Sequence, residues 1–308
     1  MMKSSAEIIN LLQGTFLEGK EVRQLPIDES SEIAFCLEIS EEQGIEAWQL
    51  FRSIVAQTGC YPILTDYGNY TDYFSRFYYL EEQQEGKLQS VVPESIVETF
   101  TTDDLIASFL EKQENCGEVE HLLEWKLERD LKDLRTNFGY SPEESEIRAL
   151  IEDGTIQSWK ELEHYLFNWE LCNLQGLERL SKPDLSYLRW YPPEGPFILL
   201  LLPIQNGWEA LAYLHWFAAS CGGDCGTRVA MQLLKKWHEQ YEAELVGHFG
   251  TMLNFTVAKP PNTPESSFEL AWEQTAIAEC TITLSGVSLR DHTRSLLVAD
   301  RWFLHQRP

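Results

Sequence analysis

Side chains able to transfer protons or bind metals come together at a few points, most clearly toward the C-terminal end of the sequence. His238 and Glu242 are four residues apart, so on a helix they would share one face. A carboxylate beside an imidazole can raise its basicity for proton transfer. An exposed helical pair of the same spacing stabilises its helix by only about 0.2–0.5 kcal/mol. The exposed pair is the favoured interpretation, and acid–base chemistry is the alternative.

A second polar group follows a tryptophan in the sequence Trp272-Glu273-Gln274. If the aromatic stripe of this helix faces the core, Glu273 and Gln274 should point partly away from it. In a cleft, Glu273 could then serve as an acid–base group. Gln274, with the rings of Trp237 and Trp272, could orient a ligand. A capping or salt-bridge role for the polar pair is favoured over a ligand site.

A third group consists of Cys221 and Cys225, with His215 nearby in sequence. Thiolate and imidazole ligands suit zinc, but a structural zinc site needs four ligands and this spacing supplies two thiols. Incidental thiols in a loop at a helix end are favoured, so no metal or other cofactor is expected. The sequence also lacks a glycine-rich phosphate loop, a GxSxG elbow and an HExxH helix.

Strong acidity is the most informative property of the composition. The chain of 308 residues carries 49 Asp and Glu against 24 Lys and Arg, a formal net charge of −25. Such a field repels phosphate backbones and anionic lipid headgroups, which argues against nucleic-acid or membrane partners. Acidity mainly keeps a protein soluble, but an acidic surface also suits a basic protein partner.

Cysteine usage and hydropathy indicate a cytoplasmic protein. Seven cysteines are an odd number, and their scattered positions do not form a secreted disulfide framework. The N-terminal sequence has no long apolar run followed by a cleavage pattern, so no export signal is expected. The longest purely apolar segment, Phe197–Leu202, is far shorter than the ~20 residues of a membrane span.

The N-terminal part has the pattern of a β-α-β unit. Apolar residues alternate over 32–39, which predicts a strand. Ser40 to Gln43 has the form of a capping box, and apolar residues at helical spacing follow it up to Gly59, a residue typical of a helix end. The next segment, 60–64, predicts a second strand that begins near its proline.

The middle of the chain, from Pro93 to Lys182, predicts an acidic block of four amphipathic helices. Ser141-Pro142 indicates one helix start, with proline at the first helical position, and Ser158 with Glu161 indicates another. No repeat period recurs in this block. We therefore interpret it as a helical insertion between two α/β parts.

The C-terminal part returns to strands and helices. Phe197–Leu202 is apolar on both faces, as a central strand covered by helices should be. Helices are predicted over Trp208–Ala219, from Thr227 to Tyr241, and after Thr263-Pro264. Alternation over Leu253–Val257 predicts a strand, and Leu296–Leu304 predicts another.

Several of these segments resemble the bacterial family called domain of unknown function 4253. The likeness is clearest in three places: the tryptophan helix and strand step of Trp237–Val246, the Lys259-Pro260-Pro261 segment, and Leu270–Gln274. Trp48–Pro62, with its Thr58-Gly59 turn, is similar to the family's N-terminal part. The resemblance covers the C-terminal third best, leaves out the helical middle, and implies a fold without implying an activity.

The sequence departs from the family pattern at three places. Glu242 stands where the family usually has glycine. The Cys221–Cys225 loop replaces a tryptophan–asparagine–proline loop, and the tail Trp302–His305 lacks the acidic residue that often ends the family's closing motif. If these elements form a cleft elsewhere in the family, we expect this member to differ there.

Together these patterns predict an α/β (α+β) protein, with a mixed β-sheet flanked by helices and an acidic helical insertion. Its parts are residues 1–92, 93–182 and 183–308. The favoured function is a non-catalytic interaction protein, immunity- or adaptor-like, that uses its acidic surface to bind a basic protein. The alternatives are a hydrolase with a cleft between the α/β parts and a small-molecule or metal-binding module at Cys221–Cys225. The oligomeric state is left open.

Overall fold

The computed structural model describes residues 4–27, 30, 32–66, 82–84, 87–89, 93–98, 105–114, 119–174, 182–190, 196–218 and 226–307. Its strands are β1 (Arg23–Pro26), β2 (Ile33–Ile39), β3 (Tyr61–Asp66), β4 (Glu82–Gln84), β5 (Lys87–Gln89), β6 (Phe197–Leu202), β7 (Ala243–His248), β8 (Met252–Val257) and β9 (Arg301–His305). β4 and β5 form a separate two-stranded sheet, and the others form one seven-stranded sheet.

The helices connect and cover this sheet. They are α1 (Ser5–Leu12), α2 (Gly44–Ser53), α3 (Val55–Thr58), α4 (Pro93–Glu98), α5 (Leu105–Glu114), α6 (Val119–Phe138), α7 (Glu144–Glu152), α8 (Trp159–Asn173), α9 (Gly226–Tyr241), α10 (Pro264–Ala278), α11 (Cys280–Thr283) and α12 (Leu289–Leu296). Short 3-10 helices occupy Glu41–Gln43, Ser186–Leu188 and Gly207–Ala212.

The large sheet is mixed, in the order β1-β2-β6-β3-β7-β8-β9. Its neighbours pair antiparallel except β3 and β7, which are parallel. β2 and β3 both run antiparallel to β6, which lies between them, so the predicted β-α-β unit is a split one. The predicted mixed-sheet α+β fold is confirmed.

β6 has the central place that its composition indicates. All six of its residues are buried, because both faces of the strand are covered. This strand follows the helical middle, yet it lies between two strands that precede that block. The first and third parts of the chain therefore share one sheet and one large core, while the boundaries of the three parts stay a prediction.

The helical middle forms a second, smaller core. Apolar side chains of α6, α7 and α8 meet there, among them Leu127, Leu131, Ile147, Leu162 and Leu166. α4 and α5 instead contribute Ile96 and Phe109 to the large core. The helical character predicted for this region is confirmed in the described residues, but the predicted number of four helices is wrong, since five of them, α4 to α8, are described there.

Capping predictions had mixed outcomes. The Ser158 box forms with Glu161, and Thr263 caps α10 as expected. Ser40 makes no capping bond, because its hydroxyl faces the Gln43 side chain at 3.3 Å and the first turn is a 3-10 helix. The predicted start at Ser141-Pro142 is wrong, since α7 begins at Glu144.

Two predicted elements of the C-terminal part have different bounds. The segment predicted as a helix over 208–219 holds a 3-10 helix to Ala212 and then turns in its described residues. Nearly all of its side chains are buried, so packing on every side decides the conformation rather than an amphipathic period. The final strand begins only at Arg301, because Leu289–Leu296 is helical.

Candidate functional site

The step from α9 into β7 forms the candidate site. α9 ends at Tyr241, and Glu242 has a φ of 49°, in the left-handed region that favours glycine. This turn lets the Glu242 amide donate to the His238 carbonyl at 3.0 Å while the chain enters β7 directly. His238, in the last turn of α9, thus comes close to Glu244, the second residue of β7.

Glu244 is held from behind by two residues of the N-terminal part. Arg52 donates to both of its carboxylate oxygens, Nη2 to Oε1 at 2.7 Å and Nε to Oε2 at 3.1 Å. The Tyr61 hydroxyl lies 2.7 Å from Oε2. Hydrogen bonding to Glu244 raises the pKa of Arg52, and burial together with the Glu244 charge raises the pKa of Tyr61 well above its ordinary value. Arg52 therefore stays charged, and Tyr61 stays a hydrogen-bond donor.

Gly207 makes room for the Tyr61 hydroxyl. A Cβ at this position would lie 2.6 Å from Tyr61 Oη, closer than real atoms approach. The absence of a side chain at Gly207 lets the buried Tyr61 ring extend as far as Glu244. The strand β3 and the 3-10 helix at Gly207–Ala212 therefore cooperate in placing one carboxylate.

His238 lies on the other side of that carboxylate. Its Nδ1 is 3.4 Å from Glu244 Oε1 and 3.4 Å from the Ala243 carbonyl oxygen. Both neighbours are acceptors when Glu244 is ionised, which assigns the proton of the neutral ring to Nδ1 and a lone pair to Nε2. In the described part of the chain Nε2 has no hydrogen-bond partner. His238 keeps 29% of its side chain exposed.

A cavity of about 480 Å³ opens beside these groups. His238, Glu242 and Glu244 line it together with Thr256, Val257 and Ala258 of β8 and its end. Thr256 lies directly opposite Glu244 in the β7–β8 ladder, which is why both strands contribute. Lys259 places its ammonium group 2.5 Å from Glu242. The structure thus brings His238 and Glu242 to one cavity, and adds Glu244.

The other predicted catalytic residue lies elsewhere. Glu273 of α10 is 3% exposed, accepts a hydrogen bond from Trp237 Nε1 at 2.7 Å, and forms an ion pair with Lys236. The expectation that Glu273 and Gln274 point partly away from the core is wrong. Both are buried, because α10 is packed on more than its aromatic side.

The predicted ligand-binding residues are buried as well. Trp237 is 0% exposed and packs edge-on against Trp302, with ring centroids 6.0 Å apart. Trp272 packs edge-on against Trp159 at 5.4 Å. The Gln274 side-chain oxygen lies 3.1 Å from His292 Nε2. In this conformation all three residues make internal contacts.

The predicted metal ligands fall mostly outside the described residues. Cys221 and Cys225 are among the residues not described, whereas His215 is described and half-buried. Within the described ranges, no group of three or more His, Cys, Asp or Glu side chains is arranged to hold a metal ion. A metal site at the Cys221–Cys225 loop stays a hypothesis.

A buried charge cluster joins the helical middle to the C-terminal part, and the sequence patterns did not indicate it. Arg290 of α12 donates to Glu163 at 2.5 Å and to Glu170 at 2.7 Å. Arg294 also pairs with Glu170, and Lys126 pairs with both Glu163 and Asp130. Such a network of satisfied charges is structural in character, because each buried charge has a partner.

The fold and the cavity define the class of protein. It is an α+β protein whose mixed seven-stranded sheet carries a small cavity, lined by charged and apolar residues, at the α9–β7 step. No helix in the described ranges is long and apolar enough to cross a membrane.

Within that class, residues 198–305 match the model of one family, DUF4253, described as a domain of unknown function. The resemblance predicted from the sequence is thereby confirmed for the C-terminal third. The match runs from the second residue of β6 to the last residue of β9. Neither the curated proteins nor the solved structures gave a match.

Proposed function

We propose that the protein binds a basic protein partner through an acidic surface, and that segment 143–161 is the core of that surface. This segment spans α7, its flanking turns and the first three residues of α8. Its exposed acidic residues are Glu143, Glu144, Glu146, Glu152, Asp153 and Glu161. An immunity- or adaptor-like role is one form of such binding.

The observation that carries this proposal is that the nearby cations already have acidic partners. Arg148 pairs with Glu144 of its own helix at 2.8 Å. Lys160 pairs with Glu269 at 2.9 Å and Glu114 at 3.2 Å. Uncompensated carboxylates thus dominate the exposed side chains of segment 143–161. A field of one sign accelerates association with an oppositely charged partner and selects against others.

The experiment compares two charge-reversal variants of equal total charge. The first carries Glu143→Lys, Glu146→Lys and Glu152→Lys in the proposed surface. The matched control carries Glu38→Lys, Glu41→Lys and Glu46→Lys, which are also exposed but lie outside segment 143–161. Each immobilised protein is incubated with lysate of the source cells, and retained proteins are identified at low and high salt.

The proposal requires a specific outcome. Wild type and the control should retain the same basic protein, the first variant should lose it, and salt should weaken its retention. Equal loss in both variants would mean that total charge alone governs retention. That outcome, or retention of no basic protein by wild type, rejects the proposal.

A second candidate function is a hydrolase, and the cavity at the α9–β7 step favours it. The cavity brings an imidazole and two carboxylates together, the residue types of general acid–base catalysis. Residues of the third part line it, while Arg52 and Tyr61 of the first part hold Glu244 from behind. The predicted cleft between the two α/β parts stays a prediction, because every residue that lines this cavity belongs to the third part.

A further inference from the structure

We infer that His238 is the general base of a site that hydrolyses small neutral or cationic acyl esters, with Glu244 as its positioning residue. This inference rests on the second candidate function and is independent of the acidic surface of segment 143–161. It names a proton acceptor, the group that orients it, and a class of substrate. Each part follows from contacts of the α9–β7 step.

The contacts of the His238 ring determine which of its nitrogen atoms carries the proton. Nδ1 faces two oxygen atoms, the Ala243 carbonyl and Glu244 Oε1, each at 3.4 Å. In the neutral ring the proton therefore resides on Nδ1, and Nε2 keeps its lone pair. A histidine whose Nδ1–H faces a carboxylate or carbonyl, with Nε2 left as acceptor, is arranged as a proton acceptor.

The Glu244 carboxylate is fully occupied by neighbouring side chains. An ionised carboxylate has about four positions for hydrogen-bond donors. Glu244 uses two for Arg52, one for Tyr61 and one toward His238. No position is left for a substrate, so its role is to orient the imidazole and to stabilise the imidazolium that forms. The side chain is only 17% exposed, which keeps this arrangement rigid.

The size and lining of the cavity indicate the class of substrate. About 480 Å³ suits a small ligand rather than a polymer chain. Glu242 and Glu244 both line the cavity, so a phosphate ester or another polyanion is disfavoured by charge. Val257 and Ala258 add apolar lining for an acyl or alkyl group.

The reaction balances with water as the only co-reactant. His238 Nε2 takes one proton from water while the water oxygen bonds to the carbonyl carbon of the ester. The resulting tetrahedral intermediate breaks its bond to the alkoxy or aryloxy oxygen. The proton passes from the imidazolium to that leaving group, which gives a carboxylic acid, an alcohol or phenol, and the original imidazole.

The test uses the full chain with p-nitrophenyl acetate as a neutral activated ester. The variants are His238→Gln, Glu244→Gln, and His164→Gln as the matched control. His164 is a partly exposed histidine that also pairs with a glutamate, Glu265 at 2.8 Å, but it does not line this cavity. Thermal unfolding of each variant verifies that it is folded.

We expect wild type to hydrolyse the ester above the buffer rate, and His238→Gln to lower that excess rate by at least about 10-fold. His164→Gln should retain it, and p-nitrophenyl phosphate should not be hydrolysed. In Glu244→Gln we expect kcat to fall while KM stays close to the wild-type value, because the imidazole is still present but is no longer oriented.

The inference is overturned if wild type gives no excess rate, or if His238→Gln lowers it by less than about 10-fold. Equal losses in His238→Gln and His164→Gln would also overturn it. A wild-type kcat in Glu244→Gln removes the positioning role. None of these outcomes bears on segment 143–161, whose binding test uses other variants and another measurement.

Discussion

Replacing Arg290 with methionine removes the central cation of the buried charge cluster. Arg290 is 2% exposed and contacts Glu163, Glu170 and, at 3.6 Å, Asp130. Glu163 keeps Lys126, and Glu170 keeps Arg294, so no carboxylate is left wholly without a cation. The cluster would nevertheless be left with three carboxylates, those of Asp130, Glu163 and Glu170, against the two cations Lys126 and Arg294. Breaking a buried ion pair by removing one partner costs about 3–5 kcal/mol, and we expect Arg290→Met to fall in that range.

The loss of stability caused by Arg290→Met should depend on pH. Burial by itself would raise the pKa of Glu163, but Arg290 and Lys126 outweigh it and lower the pKa from 4.5 to about 2. A carboxylate with a depressed pKa contributes stability that is present above its unfolded pKa and is lost as pH falls through the folded value. Without Arg290 this contribution shrinks. The difference between wild type and variant should be largest at neutral pH and should narrow below about pH 4.5.

The assay is urea unfolding at pH 7, 5 and 4, with Arg148→Met as the matched control. Arg148 pairs with Glu144 on the surface, where their side chains are 45% and 47% exposed. An exposed pair of this kind is worth about 0.3–0.5 kcal/mol, so the control should unfold close to wild type. If Arg290→Met loses no more stability than Arg148→Met, the cluster does not hold the helical middle in place and the reasoning is refuted.

Two further predictions concern single positions. Glu242→Gly should raise the free energy of unfolding by about 0.5–1 kcal/mol, because the left-handed φ of 49° strains any residue but glycine. The control Glu239→Gly, inside α9, should instead lower the free energy of unfolding by about 1 kcal/mol. A lower free energy of unfolding in both variants would contradict this prediction. His292 is fully buried, and burial lowers its pKa to about 3. Its neutral form thus contributes stability above its unfolded pKa, and this stability is lost as pH falls from about 6.5 toward 3. In His292→Gln the free energy of unfolding should therefore fall less steeply between pH 6 and 4, by up to about 1.4 kcal/mol per pH unit. Urea unfolding measures this dependence, and the same slope in wild type and variant would rule the prediction out.

The sequence predicted elements whose signals are local. The run Phe197–Leu202 indicated a strand covered on both faces, and β6 is buried throughout. Gly59 indicated a helix end and has a φ of 68° there. Ser158 and Glu161 form the expected box, because both partners lie within one helical turn. Where a start signal failed, at Ser40 and Ser141, neighbouring side chains competed for the serine hydroxyl.

The candidate site was only partly predictable for a physical reason. His238 and Glu242 were found from their spacing, but the carboxylate nearest the imidazole is Glu244. Its partners Arg52 and Tyr61 are 192 and 183 residues away in sequence. No local period encodes such contacts. One signal did exist: a glutamate among the apolar residues Ala243, Leu245 and Val246 needs a partner, because an unpaired buried charge is costly.

The strand order shows that the residues matched by the family model do not form a continuous sheet by themselves. Residues 198–305 supply β6, β7, β8 and β9, but β3 lies between β6 and β7. β3 also carries Tyr61, which holds Glu244, and α2 supplies Arg52. Without Tyr61–Asp66, β6 and β7 would each expose an unpaired edge in the middle of the sheet. The structural unit that builds the α9–β7 cavity therefore extends well before the matched segment.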